Sequence, residues 1–209
     1  ISESLLTAYA QSPLLDKYDI YQIIMDYWAE TMQDDVYVIT QDGWQAGKTL
    51  RELVNTKGDA KQKETPDLII GKTKFKAELI PPALIVARFF NTEQTALDAL
   101  QSECDASSQT LEAYIEEHAV EDGLLADALT DTGKVSKASV AARLKIATEK
   151  DEITALKKVK DLIELEADHK KTVKDAQEKV DALVFAKYPK LTIEDIKTLI
   201  EDQIAESFY

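Results

Sequence analysis

Two heptad seams constrain this chain more than any other feature. Leu97, Leu100, Cys104, Ser107, Leu111, Tyr114 and His118 step alternately by three and four residues. That spacing lays one apolar stripe along a helix and calls for a second helix to cover it. The second stripe runs through Leu162, Leu165, His169, Val173, Ala176, Val180 and Leu183, with one extra-long step at His169. Helices over 92–118 and 152–187 would measure about 40 Å and about 54 Å. The 119–150 stretch between them is long enough to turn the chain and form a small cap. Ser136 suits the N-cap of a helix there, with Val135 and Val140 as its hydrophobic staple. The expected object is a long antiparallel, coiled-coil-like helical hairpin with a small helical tip.

Composition removes several other classes. With 6 Gly and 5 Pro in 209 residues, turns are too few for a many-stranded sandwich, and 44% hydrophobic residues argue against wholesale disorder. One cysteine, Cys104, excludes an intramolecular disulfide framework and a cysteine-cluster metal site. No apolar run is long enough for a membrane span, and no basic segment followed by an apolar core opens the chain, so we expect a cytoplasmic protein without membrane contact. The start at Ile1 rather than Met suggests a piece of something longer. A net charge of −14 disfavours nucleic acid in sum, but the charge is unevenly spread. Residues 93–131 carry 11 acidic and no basic side chains, whereas 134–190 carry 14 basic and 10 acidic. The simplest reading is that these two blocks neutralise one another in a folded pair. Residues 48–76 form a second mildly basic stretch, with 8 basic and 4 acidic side chains.

Ahead of the seams lies a segment of mixed character. Asp16 and Asp19 form an N-terminal capping pair, with Leu15 and Ile20 as a staple. Tyr21, Ile24, Trp28 and Met32 recur at helical spacing beyond it, as a core face would. Asp34-Asp35 is expected to close this helix, and Val36–Ile39 to form a short strand ended by the Asp42-Gly43 turn. One or two helical turns are expected over 51–54, a loop over 55–66, and a second strand at 68–70. Lys72, Lys74 and Lys76 alternate around Phe75, so an extended segment would place three ammonium groups on one face. Such a face suits a phosphate backbone or a solvated edge strand guarded by lysines. Pro82 then launches the apolar helix 83–90. After Tyr188-Pro189, Thr192 caps a last helix with Asp195 at its third position and Leu191 and Ile196 as its staple.

Catalytic chemistry finds little support. Gly43 to Thr49 imitates a phosphate-binding loop, but only three residues separate its glycines where four are needed. His118 and His169 fall on different seams, and the antiparallel register sets 118 opposite about 153, so both read as satisfied seam histidines rather than zinc ligands. Cys104 lies between Glu103 and Asp105, the opposite of the electropositive setting a nucleophilic thiol requires.

Three segments resemble a known family in order and spacing. They are Pro13-Leu-Leu-Asp-Lys-Tyr-Asp-Ile-Tyr-Gln22 running into Met25-Asp-Tyr-Trp-Ala-Glu-Thr-Met32; Glu64-Thr-Pro-Asp-Leu-Ile-Ile-Gly71 with Ala77-Glu-Leu-Ile-Pro-Pro82; and Ala186-Lys-Tyr-Pro189 with Leu191-Thr192. Together they resemble the C-terminal region of the modification (M) subunit of bacterial type I restriction–modification systems. The resemblance implies a parent that methylates adenine N6 in DNA with S-adenosylmethionine, and that assembles with a specificity subunit and a restriction subunit. The family's cofactor loop and its Asn-Pro-Pro-Phe/Tyr catalytic motif are not in these residues. Pro81-Pro82 is flanked by Ile80 and Ala83 and lacks the amide that would hold a flipped adenine. No catalytic, cofactor or metal residue carries over, and the chain alone is expected to be inactive. The stretch from Glu201 to Tyr209 departs from the basic, helical continuation of the family, which bears on its grip of the specificity subunit.

The expectation is therefore a mainly α chain: a mixed helix and short-strand module over 1–90, the hairpin over 91–190 with its tip at 119–150, and a closing helix over 191–209. Its role would be non-catalytic assembly with the specificity subunit and, through the complex, DNA. Lys61, Lys63, Lys72, Lys74 and Lys76 are the candidate phosphate contacts. The alternative is a coiled-coil interaction module unrelated to DNA modification.

Overall fold

A computed structural model describes Thr7 and residues 16–53, 64–120, 122–130 and 133–206. It is mainly α. The described residues contain α1 (Lys17–Tyr27), α2 (Gln33–Asp42), β1 (Leu50–Glu52), β2 (Leu68–Ile70), β3 (Thr73–Ala77), α3 (Pro82–Phe89), α4 (Asn91–His118), α5 (Lys137–Arg143), α6 (Lys150–Lys187) and α7 (Ile193–Glu206). The chain divides into two compact units, one of Ile1–Phe89 with Asp181–Tyr209, the other Phe90–Val180. Residues 181–209 thus belong with the N-terminal unit.

The second unit holds the hairpin. Leu97, Cys104, Ser107 and Leu111 of α4 are buried, as the first seam requires. The antiparallel register is fixed by contacts that run in opposite senses: Ser108 meets Glu166, and Tyr114 meets Lys158. At the tip, Ser136 and Ser139 form a reciprocal capping box that starts α5. Leu111 packs there with Leu125, Ala128, Val140, Ala155, Leu156 and Val159 in one core cluster. The tip therefore buries the apolar ends of both arms.

The second seam departs from expectation by one residue. Leu165 and Leu183 are exposed, while Glu166 is only 20% exposed. The true stripe on α6 is Val159, Leu162, Glu166, His169, Val173, Ala176 and Val180, an unbroken alternation of three and four. Choosing the leucine over its neighbouring glutamate creates the apparent irregularity at His169.

The first unit corrects three further expectations. Asp34-Asp35 does not close the first helix; a π-helical turn over Trp28–Met32 carries it into α2, which reaches Asp42. Val36–Ile39 is thus helical, because a four-residue apolar run fits either period and the surrounding turns decide. The helix stops where Gly43 takes a φ of 71°. The segment expected to be helical at 51–54 is instead strand β1 over its first residues, ended by Glu52. Finally, β3 is the centre of a three-stranded antiparallel sheet of order β1-β3-β2, not an edge. Arg51 pairs with Lys76, and Ile69 with Lys74, across it.

Other signals hold as read. Asp16 caps α1 in a box with Asp19, Pro82 opens α3, and Thr192 and Asp195 exchange capping bonds at α7. Leu15 of the first staple and the loop over 55–63 lie outside the described residues. Tyr188, Ile80, Ile85, Leu191, Ile196 and Leu199 are buried in this unit.

Candidate functional site

The lysines of the sheet are the first candidate. Alternation along β3 puts Lys74 and Lys76 on one face, with Arg51 beside them on β1. Thr73, Phe75 and Ala77 take the other face, where the Phe75 ring meets Phe185 at 5.0 Å. Lys72 lies in the turn before the strand rather than in it, so the structure brings two of the three lysines onto one strand face. Lys61 and Lys63 lie outside the described residues.

Neighbouring carboxylates already occupy part of this cationic face. Lys76 Nζ lies 2.7 Å from Asp67 Oδ1, and the second oxygen of Asp67 accepts from the Ala77 amide at 2.9 Å. Arg51 bonds to both Glu64 and Glu78. Among the described residues no ion pair reaches Lys72 or Lys74, and both are exposed. Lys72 lies in the β2–β3 turn and Lys74 on the central strand, opposite Ile69.

The glycine-rich stretch has a packing explanation. Trp44–Lys48 is a turn of 3-10 helix with Ala46 and Gly47 buried. A Cβ at Gly47 would stand 3.0 Å from Cγ2 of Ile196 on α7. This glycine lets the turn and α7 approach closely, and the amides of Ala46 and Thr49 in the loop are already bonded to the carbonyls of Gly43 and Ala46.

The histidines are apart. His118 packs edge-on against Tyr114, with ring centres 4.3 Å apart, and Lys158 lies 4.4 Å from the same tyrosine ring. His169 corrects the expectation of a satisfied seam histidine, because its Nδ1 is buried without a hydrogen-bond partner. Of its neighbours on that seam, Val173 is apolar and Glu166 is engaged with Ser108 and Lys170. Cys104 is buried and free. Among the described residues, no three His, Cys, Asp or Glu side chains gather as a metal ion would need.

Two features were not read from the sequence. Glu166 sits on the hairpin seam, accepting from Ser108 at 2.7 Å and paired with Lys170 at 2.8 Å. The Lys170 contact, then the Ser108 hydroxyl, hold its carboxyl below the usual glutamate range. At the tip, a cleft of about 360 Å³ is lined by Asp122, Asp127, Arg143, Thr148, Glu149 and Glu152. Arg143 is clamped there between Asp127, at 2.7 Å, and Glu152. The signal was available: the chain has three arginines, Arg51, Arg88 and Arg143. Each one ties together distant parts of its unit, Arg88 through Asp202. That is the use to which a forked, permanently charged guanidinium is suited.

No family model, curated protein or solved structure matches this chain. Among the described residues no helix is long and apolar enough to cross a membrane.

Proposed function

We propose that the chain is the C-terminal assembly region of the M subunit of a type I restriction–modification DNA methyltransferase, acting in the cytoplasm without catalysis of its own. The observation that carries this reading is the ordered set of three segments, 13–32, 64–82 and 186–192. The second and third meet in the folded unit, where the Tyr188 hydroxyl bonds the Ile80 carbonyl at 2.6 Å. Resemblance and packing thus fall on the same residues. In this role the α4–α6 hairpin is a stiff arm for the specificity subunit, and the parent supplies the S-adenosylmethionine site, the DNA chemistry and the docking of a restriction subunit.

Light scattering on a sizing column tests the assembly role, with the chain alone and then mixed with its cognate specificity subunit. A stable co-eluting complex supports it; a monomer that ignores that subunit overturns it. The lysines have their own test in the assembled enzyme. Replacing Lys61, Lys63, Lys72, Lys74 and Lys76 by Gln should flatten the salt dependence of DNA binding, by about one unit of slope for each phosphate no longer neutralised. An unchanged slope removes them from the interface.

A further inference from the structure

The seam of the hairpin is apolar toward both ends and polar in its middle. At the tip, Leu111, Ala155, Leu156 and Val159 are buried in one cluster. Toward the other end, Leu97 and Val180 are buried. Between Val159 and Val180 no residue of α6 is buried. The register set by Ser108 and Glu166 brings Cys104 and Ser107 of α4 beside this stretch, and the α6 seam positions there are Glu166 and His169.

Such a layer holds two helices together weakly. A thiol and two hydroxymethyl groups bury little apolar area compared with leucine. Ser107 turns its hydroxyl back to the Cys104 carbonyl of its own helix at 2.7 Å, so its donor serves α4 rather than the seam. Ser108 does cross to Glu166, but that carboxylate is charged and paired with Lys170, and parting the helices returns it to water. The buried Nδ1 of His169 likewise gains a hydrogen bond once water enters. At the tip the balance is reversed, because opening there exposes Leu125, Leu156 and Val159, all fully buried. We infer that the hairpin opens at this layer: residues 100–111 of α4 and 162–173 of α6 part as a local event, while the tip core around Leu125, Val140 and Leu156 stays packed. The arm then consists of two stiff halves with a joint between them. This inference does not rest on the methyltransferase reading.

Hydrogen exchange of the full chain, resolved to single amides by NMR, tests it. Amides of 103–110 and 164–171 should be protected about tenfold or more less than those of 155–159. Their exchange should also be insensitive to low urea, because a local opening exposes little surface. A urea dependence equal to that of 155–159 means that the helices part only in global unfolding, and overturns the proposal. Glu166→Leu with His169→Leu makes the layer apolar and should slow exchange of its amides about tenfold or more. Unchanged rates in that variant overturn the polar layer as the cause of opening. If the double variant associates on a sizing column, Glu166→Gln takes its place. Weakening the Ser108 and Lys170 contacts should then speed exchange in the layer about two- to fivefold, and no change overturns the proposal.

Discussion

The phenol of Tyr188 donates a 2.6 Å hydrogen bond to the carbonyl of Ile80, joining residues 108 positions apart, both buried to within 2%. It fastens the end of α6 to the corner before α3. Burial, and secondarily the charge of Asp67, push this phenol well above the ordinary tyrosine range. Tyr188→Phe leaves the buried carbonyl without its donor and should cost about 1–3 kcal/mol in urea unfolding at pH 7. The raised pKa sets the sign of a pH effect. Below the ordinary value of about 10 the bond contributes in full; above it the unfolded chain loses the proton while the folded chain keeps it, so stability falls. The Phe variant should lack that component, narrowing its gap to the native protein between pH 9 and about 11. A gap that stays constant would contradict the burial of the phenol.

Gly47 is required by shape. A methyl there meets Cγ2, Cγ1 and Cδ1 of Ile196 at 3.0–3.1 Å, and Ile196 is fully buried. Overpacking should make Gly47→Ala destabilising by about 1–3 kcal/mol, despite the entropy it removes from the unfolded chain. In an Ile196→Ala background the same change should be neutral or stabilising, and a double-mutant cycle of melting temperatures reads the difference.

The sequence made local signals legible where one group had one role. Caps at Asp16, Ser136 and Thr192, the proline at Pro82 and the burial of Cys104 and Leu111 all follow from short-range rules. The misreadings came where two periods or two neighbours competed. Val36–Ile39 fits a strand or a helix, and a π turn upstream decides it. Leu165 outranks Glu166 on any hydrophobic scale, yet Ser108 and Lys170 make the glutamate the better seam residue in place. Lys76 looked available for phosphate until folding brought Asp67 beside it from β2's leading edge. Pairings across a sheet or between helices depend on register, which spacing along one strand does not contain.

Glu166 should make the hairpin sensitive to acid. Its carboxyl is held low by Lys170 and Ser108, so the contact contributes fully above about pH 5 and fades as pH falls through the depressed folded value. Glu166→Gln should therefore be less stable than the native chain at neutral pH by at most about 1 kcal/mol, since the paired lysine is solvated. The two should converge as the pH falls below that depressed folded value. Urea midpoints followed by far-ultraviolet circular dichroism at stepped pH check this, and a difference independent of pH would contradict it.

Cys104 reports on opening of the hairpin. Its thiol is 4% exposed on the α4 seam, so an aromatic disulfide reagent can reach it only when the arms part. Leu111→Ala removes a buried member of the core cluster and should cost about 2–5 kcal/mol, accelerating labelling by tenfold or more. Leu165→Ala discriminates between the two registers of the second arm. If Leu165 lined the seam, truncating it would speed labelling as Leu111→Ala does. With Glu166 on the seam and Leu165 44% exposed, the labelling rate should stay within about twofold of the native chain. A large acceleration in the Leu165 variant would return that leucine to the interface and rotate α6 by one residue against α4.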